Sequence, residues 1–228
     1  MLFYWIILGF FGLVGGVISN RLKSKFNHYS KIPNDARLTG YETALKMLDY
    51  YGITDVKIVQ GQGFLSDHYN PRTKTVSLSP AVYQGRSIAA AAVSAHECGH
   101  VVQHATAYKW LAMRSNLVPL VQMSSRAQQF LFMGLVMGIG AGFAGNTLML
   151  LLVITFGVTA LFSMITLPVE FDASKRALVW LDQSGVTRGR EYEGAKDALW
   201  WAAMTYVSQA LGALVMFLFF LLQFLGRD

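Results

Sequence analysis

"SAHECGHVVQH", residues 94–104, gathers three of the chain's five histidines, one glutamate and the only cysteine. His96 and His100 are four positions apart, one turn of helix, so both imidazoles can face a single ion. Zinc bonds histidine nitrogen at about 2.0–2.1 Å and takes four ligands, one of them water where the site is catalytic. Glu97 lies one position round the helix from His96, beside such an ion rather than on it. There it can accept a proton from water on the metal, which is the physical content of H-E-x-x-H. His104 is a poor third ligand. Along a continuous helix it stands roughly 12 Å in rise from His96, and "VVQ" (101–103) has no glycine to turn the chain back. It reads as a packing or surface histidine. Cys98 faces away from His96 and His100 and reads as a small buried residue.

The surrounding sequence supplies the helix. "RSIAAAAVSAHECGHVVQHATAYKWLAM" (86–113) is alanine-rich and has no glycine or proline beyond Gly99, which predicts one long helix. Upstream, "NDARLTGYETALKMLDYYGI" (34–53) places Ala, Leu and Met at helical spacing before a stop at Gly52, after a linker from residue 26. "VKIVQ" (56–60) reads as a strand. "GFLSDHYNPRTKTVSLSP" (63–80) reads as a hairpin, turning at Asn70–Pro71, with Val76 and Leu78 alternating against Thr75 and Ser77.

A third protein ligand has to come from further away. The chain holds no Asp or Glu between Glu97 and Glu170, so the first carboxylate after the motif is Glu170, in "LPVEFDASKRA" (167–177). The intervening sequence decides whether the two can meet. Ala127 to Val169 carries no charge; as a single helix it would be roughly 65 Å long, about twice one bilayer crossing. "GAGFAGN" (140–146) breaks it, giving spans at about 128–143 and 147–167 joined by a tight turn. Two crossings return Glu170 to the side of His100; one would separate them. Pro168 suits the start of the helix that carries Glu170 outwards.

Two further apolar stretches complete a membrane reading. "MLFYWIILGFFGLVGGVIS" (1–19) spans once; it lacks a basic leading region and an A-x-A site, so it reads as an anchor rather than a cleaved signal. Ala198 to Gly226 gives a fourth span, its helix starting before the membrane. A hydrophobic content of 54%, a mean hydropathy of +0.39 and 14% charged residues set the chain apart from ordinary soluble proteins. Of 19 Lys and Arg, 13 lie in residues 20–126, five in 170–197 and one at Arg227. The positive-inside rule then puts both basic segments in the cytoplasm and both termini outside. The net charge of +6 reads as topology and attraction to anionic headgroups; no basic patch interleaved with aromatics points to nucleic acid. His28 reads as an interfacial polar residue. One cysteine permits no intrachain disulfide, in keeping with a cytoplasmic face.

The spacing of H-E-x-x-H from E-x-x-A-[DS], across a helical membrane hairpin, resembles the integral-membrane gluzincin peptidases, among them HtpX-like heat-shock proteases and CAAX-prenyl endoproteases. "SDHYNPR" (66–72), "SAHECGHVVQ" (94–103), "EFDASKRA" (170–177) and "MTYVSQAL" (204–211) are most similar to the YugP-like neutral zinc metallopeptidases of bacteria. The resemblance covers nearly the whole chain. It implies one zinc ion on His96, His100 and Glu170, Glu97 as catalytic base, peptide or membrane-protein substrates, and a bacterial inner-membrane location. The fold expected is mainly α: an anchor (1–19), a small cytoplasmic zincin-like α+β domain (20–126), a membrane hairpin (127–168), a cytoplasmic segment with the third ligand (169–197) and a last span (198–226).

Many gluzincins carry an aspartate four residues after the ligand glutamate, where it orients a histidine; here Ser174 stands there, leaving that task to its hydroxyl or to Asp172. The reaction implied is peptide hydrolysis, with zinc polarising the scissile carbonyl and acidifying water. His68, Tyr69 and Tyr206 are the candidate donors to the oxyanion, Tyr206 being equally at home as an interfacial aromatic. Leu65, Asp67, His68 and Tyr69 resemble the edge strand on which such enzymes lay substrate; a plain hairpin capping the helix accounts for them equally well. Two alternatives share the motif: an intramembrane metalloprotease, and a non-catalytic scaffold or assembly factor that keeps zinc for structure. Against the first, Arg86 and Lys109 bracket the motif helix with 22 residues between them, and no later aspartate lies in an apolar run. Against the second, three ligands with no obvious fourth leave an open position.

Overall fold

A computed structural model describes residues 2–137 and 143–226. The chain is mainly helical, with one small sheet: α1 (Leu2–Tyr29), α2 (Gly40–Tyr50), β1 (Lys57–Gln60), β2 (His68–Asn70), β3 (Thr75–Leu78), α3 (Pro80–Tyr83), α4 (Ile88–Ala105), α5 (Lys109–Val136), α6 (Phe143–Gln183) and α7 (Arg190–Leu225). Two compact units divide it. One comprises Ile18–Ala112 and Pro168–Met204; the other comprises Met1–Val17, Met113–Leu167 and Thr205–Asp228.

The first unit contains the H-E-x-x-H segment. α2 starts at a capping box: Glu42 N–H donates to Thr39 Oγ1 at 3.1 Å, and Thr39 N–H donates to the Glu42 carboxylate at 2.7 Å. It ends before Gly52, whose φ of +66° suits glycine. The sheet runs in the order β1-β3-β2, with β1 parallel and β2 antiparallel to β3. Strand β2 is therefore an edge. Val76 and Leu78 of β3 are fully buried, as their alternation predicts, beside Met47 and Leu48 of α2. α4 is capped by Ser87, whose hydroxyl accepts from Ala90 N–H. Ala89, Ala91, Ala92 and Ala95 are buried without exposed surface. These small side chains join one core with Ala177, Trp180 and Leu181 of α6. Cys98 is buried in it as expected, its Sγ 3.7 Å from the Ala44 carbonyl, and burial raises its thiol pKa.

The approach of α4 to α6 depends on Gly99. A Cβ at this position would stand 2.5 Å from the Ala173 carbonyl oxygen, closer than real Cβ atoms come. Only glycine lets the two backbones meet there.

Two expectations are corrected here. The helix predicted over 86–113 is two helices, divided at residues 106–108. Thr106 N–H and Oγ1 both donate to the Val102 carbonyl, Ala107 takes a φ of +50°, and Tyr108 N–H returns to the Gln103 carbonyl. A hydroxyl bonding back onto the last turn, followed by a left-handed residue, ends the helix without glycine or proline. Pro168 does not begin a helix either: it lies inside α6. A proline removes one N–H from the ladder, and a long, well-packed helix absorbs that loss.

The other unit is built mainly of apolar side chains. Met149, Leu152 and Val153 of α6 pack with Met216 and Phe220 of α7, and Phe156 stacks on Phe220 at 4.8 Å between ring centroids. Tyr4 of α1 stacks on Phe132 of α5 at 4.5 Å. Leu2, Phe3, Trp5, Ile6, Phe10 and Leu13 of α1 are exposed, Leu13 at 74%, an outer surface suited to lipid rather than water. Among the described residues, three helices are long and apolar enough to cross a membrane: Leu2–Tyr29, Gly145–Gln183 and Arg190–Leu225. Of the expected second span, 128–143, residues 128–136 belong to α5, which begins at Lys109 and is not among these three, and residues 138–142 lie outside the described residues. Of the turn expected over 140–146, residues 140–142 lie outside the described residues and 143–146 open α6.

Candidate metal centre

His96 and His100 lie one turn apart on α4, their rings 4.8 Å apart and nearly perpendicular. Glu170, buried to 2% exposure, approaches both from α6. Its Oε2 stands 3.4 Å from His96 Nε2 and 3.7 Å from His100 Nε2. One donor atom from each of the three residues lies within 4.8 Å of the others, a group able to hold a metal ion.

The outer ring nitrogens are engaged. His96 Nδ1 lies 3.1 Å from Ser174 Oγ, and His100 Nδ1 lies 3.0 Å from Gln103 Oε1. Gln103 is fully buried, and its Nε2 donates to Asp172 Oδ2 at 2.9 Å and to the Val169 carbonyl at 2.8 Å. Asp172 in turn accepts from Arg176 Nε at 2.6 Å, and the Arg176 guanidinium lies over the Tyr108 ring. With Nδ1 on both rings turned to an outer partner, Nε2 is the atom left facing Glu170. Two imidazole nitrogens and one carboxylate oxygen form a donor set suited to zinc.

Charge in the site fits a cation as well. Burial raises the pKa of Glu97, against the opposing pull of His96 and His100. On His100 burial disfavours charge, but the carboxylates of Glu170 and Glu97 outweigh it and the pKa stands above the ordinary histidine value. Two carboxylates against two imidazoles leave room for positive charge that a divalent ion would supply.

The remaining sequence candidates are more scattered. Asp67 accepts from Ser79 N–H at 2.7 Å and Ser79 Oγ at 3.1 Å, fixing the segment that enters β2. Leu65 has a φ of +53°. His68 is exposed, its Nδ1 2.8 Å from the Ser66 carbonyl oxygen. The Tyr69 hydroxyl meets His104 Nδ1 at 2.8 Å, so His104 is joined to the edge strand rather than to the His–His–Glu group. Tyr206 belongs to the other compact unit. His28 is exposed at the end of α1, edge-on to Tyr29. The residue that sequence reasoning missed is Gln103. Its position three after His100 is the only local signal, and its partners lie 66 and 69 residues away.

Long apolar helices and a largely buried His–His–Glu group able to hold a metal ion are the features expected of a membrane zinc peptidase. The chain belongs to the family described as "putative neutral zinc metallopeptidase", whose model matches residues 4–225. It is 41% identical over 209 residues, 91% of each chain, to the "Putative membrane protease YugP" of Bacillus subtilis (strain 168). No solved structure matches it.

Proposed function

We propose that the protein is a membrane-embedded zinc metalloendopeptidase that hydrolyses peptide bonds with Glu97 as general base. The observation that carries this reading is the meeting of Glu170 with His96 and His100, with Glu97 next to His96 on the same helix. A single zinc ion held by His96, His100 and Glu170 would supply Lewis acidity toward the scissile carbonyl and an acidified water. Glu97 takes the proton of the attacking water and passes it to the leaving amine. Its burial supports that role, since a carboxylate with a raised pKa holds a proton better at neutral pH. Strand β2 is an edge close to α4, and an extended substrate pairing along it would be held mainly by its backbone, with Leu65, at a φ of +53°, outside the extended run. Asp67 keeps that segment in place through Ser79, and His68 and Tyr69 of the same strand are the candidates for the oxyanion donor.

The proposed topology has four crossings, both termini outside, and the site facing the cytoplasm of a bacterial inner membrane. Basic residues beside the apolar segments support it, Arg21, Lys23, Lys25 and Arg126 above all. Substrates are peptides or proteins, membrane proteins among them. Glu97→Gln in purified, detergent-solubilised protein tests the mechanism: zinc retained and cleavage of an unfolded substrate lost supports it. Undiminished cleavage removes Glu97 from the chemistry. Retained zinc in a wild-type protein that cleaves nothing favours a scaffold.

A further inference from the structure

Gln103 is a buried amide within reach of three acceptor-capable groups. Its nitrogen faces two of them, the Asp172 carboxylate and the Val169 carbonyl, neither of which can donate. An amide turned the other way would set its oxygen against two oxygens, so the orientation is fixed by residues of α6. The oxygen is then left for His100 Nδ1 at 3.0 Å, and that nitrogen has to be the one that carries hydrogen. The lone pair of His100 is consequently on Nε2, toward Glu170. His96 has no such constraint, because the Ser174 hydroxyl at 3.1 Å can donate as well as accept.

We infer that Gln103 is a positioning residue for the metal centre: held by Asp172 and the Val169 carbonyl, it fixes the ring tautomer and orientation of His100. Asp172 acts on the ligand through Gln103, and Arg176 steadies Asp172 through the same Oδ2. The two histidines are therefore supported differently, His96 by a rotatable hydroxyl and His100 by an oriented amide backed by an ion pair. The inference rests on the zinc-site reading.

The test uses the full chain in detergent, with zinc affinity measured by competition against a chelator and fold followed by thermal melting of the zinc-free protein. Gln103→Leu keeps bulk and removes the acceptor; zinc affinity should fall about 10–100-fold. Asp172→Asn keeps an oxygen for Gln103 but removes the charge, and should cost less than Gln103→Leu. Gln103→Glu sets two carboxylates together, and adding Asp172→Asn to it should recover part of the lost affinity, since the Val169 carbonyl still meets an oxygen. That rescue is not expected of a residue that only fills space, and it decides the matter should Gln103→Leu fail to fold. In cobalt-substituted protein, proton NMR should show an exchangeable, shifted Nδ1–H from His100 that exchanges with water faster once Gln103 is changed. Wild-type affinity in folded Gln103→Leu, or no rescue in the double variant, overturns the inference while leaving the zinc site standing. A wild-type protein that binds no zinc overturns both.

Discussion

Replacing Gly99 by alanine tests whether the α4–α6 approach assembles the metal centre. In an isolated helix the change should stabilise by about 1 kcal/mol, because alanine is the better helix former. Here the new Cβ would lie 2.5 Å from the Ala173 carbonyl oxygen and 3.1 Å from its Cα and carbonyl carbon. Those atoms are helix backbone and cannot swing aside as the tip of a side chain would. Ordinary contact begins at 3.4 Å, so the helices have to part by about 0.9 Å. Glu170 sits almost one turn before Ala173 on α6 and moves with it, whereas His96 and His100 stay with α4. A zinc site keeps its ligand distances within about 0.2 Å, so the displacement is several times what coordination tolerates. Overpacking of this kind costs about 1–3 kcal/mol of stability. Zinc affinity should fall at least tenfold, the equivalent of about 1.4 kcal/mol. Thermal melting without zinc and chelator competition with it read the two effects separately. A Gly99→Ala protein as stable as wild type, binding zinc as tightly, would refute the argument.

Glu97→Gln should lower peptide cleavage by about 10²–10⁴-fold with zinc content unchanged, read by metal analysis beside a peptidase assay. Burial lifts the Asp67 pKa above its unfolded value, so its contribution to stability is complete below the unfolded pKa and is lost as pH rises through the folded one. Asp67→Asn should therefore gain in melting temperature relative to wild type between pH 4 and pH 7, and a constant difference would contradict this. Ala107→Gly relieves a left-handed alanine at the end of α4 and should leave stability unchanged or raise it by up to about 1 kcal/mol in denaturant unfolding. Stripping zinc with a chelator should lower the melting temperature, and free zinc at 100 times its dissociation constant should restore about 2.7 kcal/mol.

Much of this was legible in the sequence because it is local or follows from exclusion. The i, i+4 spacing puts His96 and His100 on one face whatever the tertiary fold, and an acid-free stretch to Glu170 leaves one obvious carboxylate. The strands of the small sheet announced themselves by alternation and by Asn70–Pro71. What was not legible depends on partners distant in the chain. Gln103 reads as one more polar helix residue until Val169 and Asp172 are brought beside it. Gly99 in "HECGH" looks like a weak point in a helix, yet its lack of a side chain is what admits Ala173. The break after Ala105 carries no glycine or proline, so nothing in the composition marks it. Pro168 misled in the opposite direction, because a proline next to an apolar run reads as a boundary although packing can hold it within a helix.

The most direct test is metal content combined with zinc-edge X-ray absorption on purified wild-type protein and on His96→Ala, His100→Ala and Glu170→Ala. One zinc per chain with two imidazole nitrogens and oxygen donors, lost or severely weakened in each variant, is the predicted result. Zinc held undiminished after Glu170→Ala, or a shell lacking the two imidazoles, would contradict it.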